Sequence, residues 1–263
     1  MRVALARSIS AFALLVAAGS PAFAQGNYEI QVYASPTVAP KTTMFELHSN
    51  FTFDGQTQTI NGVYGTNHAL HETVEITFGL NSWSELGLYY FTSEQKGTGV
   101  NWVGSHIRPR VRVPDSWKWP VGVSLSMEMG YQRAVFDENT WSWEIRPIID
   151  KEFGKLYVGF NPVLDRAWKG PGTQEGVGFE PNVKVGYDFS KVVNAGIEYY
   201  GAMGKIGDFA PKNSQEHMFF AAADLDVSPN WEINFGMGVG VTPATDHLIF
   251  KTILGRRVTW GSK

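Results

Sequence analysis

Residues 121–131 (Val-Gly-Val-Ser-Leu-Ser-Met-Glu-Met-Gly-Tyr) alternate without a break. Val121, Val123, Leu125, Met127, Met129 and Tyr131 fall on one face, and Gly122, Ser124, Ser126, Glu128 and Gly130 on the other. Only a strand has that period of two; a helix would scatter both sets around its axis. Beyond a polar link, residues 141–150 repeat the pattern, with Trp141, Trp143, Ile145, Pro147 and Ile149 against Ser142, Glu144, Arg146, Ile148 and Asp150. The pair reads as a hairpin with one apolar and one charged face. Strands of soluble domains run about five or six residues, whereas a tilted strand needs roughly nine to eleven to cross a bilayer. Length and two-sidedness together point to lipid on one face and a polar interior on the other.

The start of the chain sets the compartment. Arg2 and Arg7 precede an apolar run over residues 9–18 that leads to Ala22-Phe23-Ala24, a small-residue cleavage pattern, so residues 1–24 read as a signal peptide. Without it, Lys and Arg fall from 22 to 20 against 25 acids, a net charge of about −5. Such a chain is not expected to bind nucleic acid. There is no cysteine, so packing and hydrogen bonds must hold an exported fold together. No later apolar run reaches about 18 residues, which excludes a transmembrane helix.

The alternation predicts strands over residues 43–53, 68–80, 84–92, 103–113, 121–131, 141–150, 155–164, 178–189, 192–202, 216–227, 231–240 and 247–258. The expected fold is therefore an all-β, antiparallel up-and-down transmembrane barrel of twelve strands over residues 43–260. Residues 25–42 are polar, contain proline and lack any helical period, and are expected to form a periplasmic extension. Long and short connections alternate, as outside loops and periplasmic turns do in outer-membrane barrels, with 114–120 the one long inside turn. Residues 93–102 are among the expected long loops. Aromatic residues near strand ends (Tyr90, Tyr131, Trp141, Phe179, Phe189, Trp231) suit interface girdles. Pro109, Pro147 and Pro181 interrupt strands at outward positions and are expected to mark bulges. Arg256 faces the lipid side, where it can reach the headgroups. The expected location is the outer membrane of a Gram-negative bacterium. Its lipids, the barrel-assembly machinery and small solutes are the expected partners. A soluble β-sandwich is the competing reading, opposed by strand length and the signal segment.

The segments Leu47-His-Ser-Asn-Phe-Thr-Phe53, Asn67-His-Ala-Leu-His-Glu72, His106-Ile-Arg-Pro-Arg-Val-Arg112, Trp143-Glu-Ile-Arg-Pro-Ile-Ile-Asp150 and Ser228-Pro-Asn-Trp-Glu-Ile-Asn-Phe235 resemble a family of uncharacterised Gram-negative outer-membrane barrels. More loosely, they are similar to the putative transporters of the MetA pathway of phenol degradation. The resemblance implies the barrel fold and transport, and carries no site residues with it.

Inward parity places His106, Arg108, Arg110 and Arg112 on one stripe of the fourth strand, with Glu85, Glu128, Glu144 and Arg146 on neighbouring strands. Adjacent strands lie under about 5 Å apart, so these residues can form a continuous ion-pair network. The network either fills a closed interior or makes a selective lane for anionic or hydrogen-bonding solutes. Gly236, Gly238 and Gly240 leave volume on the opposite wall, into which arginines reach or through which a channel survives. A passive channel or transporter is the favoured function; a closed structural or adhesive barrel is the alternative. A lipid hydrolase is disfavoured, because His48 and Ser49 point to opposite faces of a strand. No enzyme activity is expected. His48, His71 and Glu75 share the interior, but without Cys or a tight His-x-His pair ordinary hydrogen bonding outweighs metal binding, and no metal or cofactor is expected.

Overall fold

The structure, a computed structural model, describes residues 24–260. The expected signal peptide therefore lies outside the described residues, except for its last. Among the described residues, β1 (Thr42–Asp54), β2 (Leu70–Asn81), β3 (Ser84–Gln95), β4 (Gly99–Arg112), β5 (Gly122–Gln132) and β6 (Trp141–Phe153) form the first half of one antiparallel sheet. The second half is β7 (Leu156–Lys169), β8 (Gly178–Asp188), β9 (Val193–Ala202), β10 (Glu216–Leu225), β11 (Trp231–Gly240) and β12 (Leu248–Thr259). Each strand pairs with the next, and β12 returns to β1 from Thr42↔Thr259 to Asp54↔Leu248, closing a ring of twelve. Closure satisfies every edge, which an open sheet in hydrocarbon cannot do.

Burial is inverted relative to a soluble domain. Phe45, Leu47, Val74, Phe78, Leu125 and Met127 are exposed on the outside, while His48, Asn50, His71, Thr73, Glu75 and Thr77 are buried inside. At the long-loop end, Tyr90, Trp102, Tyr131 and Trp141 touch in sequence across four strands, with ring centroids 5.6–6.5 Å apart. At the other end Arg256 lies over the Trp231 ring, 4.7 Å from its centroid. An apolar belt edged by aromatic residues suits a bilayer and its interfaces.

Three expectations need correction. First, the prolines make no bulges. The β4–β5 register is the same before Pro109 (Ile107↔Met129) and after it (Arg110↔Ser126), and Ile145↔Leu164 and Ile149↔Phe160 likewise bracket Pro147. Pro181 faces Pro162 in an unbroken β7–β8 ladder. Losing one N–H removes one hydrogen bond, whereas a one-residue slip would turn every later side chain to the wrong solvent, so register wins. Second, residues 93–102 are not a long loop. β3 and β4 continue to Gln95 and Gly99, and Gly97 and Gly99 turn the chain at φ +94° and +64°. Third, residues 25–42 do not stay outside the ring.

Candidate functional site in the barrel lumen

Residues 27–39 run through the barrel from the loop end to the turn end, and Thr42 then starts β1 back along the wall. The wall strands have spent their backbone groups on one another, so this segment finds its hydrogen bonds on inward side chains. Asn50 donates to the carbonyl of Asn27 (3.0 Å), Thr73 to that of Tyr28 (2.9 Å) and Lys251 to that of Ile30 (3.0 Å). The side-chain amide of Asn161 takes both backbone groups of Tyr33, accepting at 2.7 Å and donating at 3.0 Å. Asp150 accepts from the amide and hydroxyl of Ser35 (2.5 and 2.7 Å), and Glu85 accepts from the amide of Val38 (2.6 Å). Arg110 donates to the carbonyls of Ala34 and Pro36. Where the segment leaves the ring, the carbonyls of Val38 and Ala39 lie where a side chain on Gly79 would stand.

Its own side chains fill two apolar patches. Tyr28 joins Tyr89, Phe91, Val103 and Phe136; Ile30 joins Met218, Phe220, Ala222 and Ile249. Burying such side chains contributes about 1.5–3 kcal/mol each. Between those patches and the turn end, Tyr33 lies among the guanidinium groups of Arg108, Arg110 and Arg146, 4.8–5.8 Å from its ring centroid, and shares a hydrogen bond with Tyr89 (3.1 Å). The segment separates a cavity of about 360 Å³ at the loop end, beside Asn27 and Tyr28, from cavities of about 460 and 290 Å³ at the turn end, beside Ala34, Pro36 and Val32.

The charged residues expected on the inward stripe are each held by partners. Arg108 bridges Glu75 (2.6 Å) and Glu85 (2.9 Å) and donates to Tyr89; Arg110 lies 3.5 Å from Glu85. Arg146 holds both oxygens of Glu144 (2.7 and 3.0 Å), while Glu128, opposite Glu144 in the ladder, takes His106 (2.5 Å). Arg112 sits at the rim against exposed Asp115. Glu75 was not among the expected partners of the arginines. Arg108 reaches it by passing over Gly87, its ladder partner on β3, where a side chain would lie about 3.2 Å from the guanidinium.

A second charged group, absent from the sequence reading, lies on the opposite wall. Lys251 bonds Glu198, which also pairs with Lys184 (3.2 Å), and Lys184 pairs with Asp224 (2.6 Å). Lys251 on β12 crosses two intervening strands whose residues in that row are Gly236 and Ala222. Volume expected beside Gly238 holds neither arginine nor open channel, because the Phe220 ring lies across it. Replacing Lys251 by Met should orphan the Ile30 carbonyl and weaken the Glu198 group, lowering stability by about 1–3 kcal/mol in denaturant unfolding. An unchanged midpoint would show that Lys251 does not hold the segment.

No family model matches the sequence, and no curated protein does. Among solved structures, the COG4313 outer membrane channel from Pseudomonas putida F1 superposes with a TM-score of 0.60 at 10% identity, over 88% of this chain and 100% of that one. The fold is that of outer-membrane barrels. NanC porin (TM-score 0.54, 8% identity, 82% of this chain and 100% of that one) and KdgM porin (0.52, 9%, 81% and 98%) share it. At these identities the likeness concerns architecture alone.

Proposed function

We propose that this protein is an outer-membrane channel for small solutes, held closed by its own N-terminal segment. One observation carries the reading: the centre of the ring is occupied by residues 27–39, which run into the wall at Thr42 and pair with no strand of it, rather than by wall side chains meeting across it. A segment of that kind can leave without unpairing a strand. The barrels it resembles in fold are channels and porins, and the looser resemblance to MetA-pathway transporters supports transport without choosing a solute. In this reading the short turns face the periplasm and the long loops face outward.

A closed structural barrel is the second reading, favoured by the ion pairs that lock Arg108 and Arg146. Planar-bilayer recording of the purified chain, with liposome swelling, separates the two. A channel should show brief conducting events on a closed baseline and should admit small solutes to liposomes. Silence under every voltage and solute would favour the structural barrel, and phospholipid or lipopolysaccharide turnover would bring back an enzyme.

A further inference from the structure

We propose that Glu46, His48 and Glu75 form a binding site for a divalent transition-metal cation of the zinc class. Glu46 and His48 are successive inward residues of β1, and Glu75 faces Glu46 directly across the β1–β2 ladder. One donor atom from each lies within 4.8 Å of the other two. The sequence weighed His48, His71 and Glu75 and favoured ordinary hydrogen bonding over a metal; in the structure Glu46 takes the third place, while His71 packs edge-on against Tyr28 at 4.8 Å.

The second observation is the state of His48. Its exposure is 0%, yet neither ring nitrogen has a hydrogen-bond partner, and its ladder neighbours are Thr73 and Ile253. Its Nε2 faces Glu75 Oε2 at 3.5 Å, and that oxygen is also without a hydrogen bond. The gap exceeds a normal N–H···O separation and leaves no room for a bridging water. It matches the roughly 3.3 Å between two ligands held about 2.0–2.1 Å from one tetrahedral ion.

The surroundings suit a ligand set. Glu75 Oε1 is already held by Arg108 (2.6 Å) and Thr77 (2.6 Å), which orients Oε2 toward the histidine, as outer partners orient metal-binding carboxylates. Glu46 is partly exposed and makes no hydrogen bond or ion pair with another described residue, so it offers both a carboxylate and a route from the lumen. Glu46, Glu75 and Glu85 outnumber Arg108 and Arg110 by one charge. One imidazole with two carboxylates favours zinc, cobalt or a neighbouring ion over calcium or magnesium, which prefer all-oxygen cages. Three protein donors leave a fourth position for water.

Cobalt titration of the full chain in detergent, after a chelator wash, tests the site. One Co²⁺ per chain should bind with visible absorption bands, be displaced by Zn²⁺, and raise the melting temperature. His48→Asn and Glu46→Gln should each weaken binding by roughly tenfold or more, since a direct ligand matters at least as much as the groups that orient it. His71→Asn should bind as the wild type does. Heat-modifiable gel migration reports whether each variant is folded, and if His48→Asn does not fold, the partly exposed Glu46→Gln decides. No cobalt bound, or equal affinity in the folded Glu46 or His48 variant, would overturn the proposal.

Discussion

Deleting residues 27–36 should leave a folded barrel whose single-channel conductance is higher by on the order of tenfold, because twelve strands enclose a lumen between the packed and the open sizes. The ring closes through β1 and β12 without help from the segment, so heat-modifiable migration should persist. A reversible form of the same experiment uses the absence of cysteine from the chain. A Cβ built on Gly122 would lie 3.1 Å from Cβ of Ser35, a few tenths of an ångström inside the roughly 3.5–4.5 Å that a disulfide spans, and against Oδ1 of Asp150, so the Asp150 carboxylate must swing aside as the bond forms. Ser35→Cys with Gly122→Cys should therefore lock the segment when oxidised and release it when reduced. Conducting events should vanish in the oxidised barrel and return with reductant. Equal conductance in both redox states, together with no gain on deletion, would mean that solutes do not pass where the segment lies.

The second large effect is expected at Arg108. Its replacement by Met leaves Glu75 and Glu85 buried without their shared guanidinium, and breaking a buried pair in this way costs about 3–5 kcal/mol. Arg112→Met is the internal control, since its partner Asp115 is 83% exposed and such pairs contribute about 0–1 kcal/mol. The Arg108 variant should melt well below the wild type while the Arg112 variant stays close to it. If both shift equally, the inward stripe is not paired as described. A change in ion selectivity at unchanged stability would instead mark Arg108 as lining an open lane.

The wall of this barrel was legible because each strand meets two different solvents. Leu125 and Met127 must face hydrocarbon while Ser126 and Glu128 face inward, and that demand writes itself into alternate positions. For the same reason Glu85 and Arg110 could be placed together from parity alone, and they are ladder partners. Residues 27–39 carry no such record. Their neighbours surround them, so no period develops, and their backbone groups are taken by Asn50, Asn161 and Asp150, residues with no visible tie to them in sequence. Glu75 was missed as the partner of Arg108 because it lies two strands away; the inward glycine at position 87 is the mark that such a crossing was open. Lys251 reaches Glu198 past Gly236 and Ala222 in the same manner, so small inward residues were the signal to follow.

The wiring of the lumen also orders events during assembly. The N-terminal segment leaves the ribosome before any strand, yet its hydrogen-bonding partners run from Asn50 to Lys251. Contacts between positions so distant in the chain form late, because the intervening loop must be closed first. Asn50 and Lys251 are ladder partners across the β1–β12 seam, so they hold the segment side by side only once β12 has met β1. What is synthesised first is thus secured last, and a barrel caught before closure should present residues 27–39 to a protease that the finished protein resists.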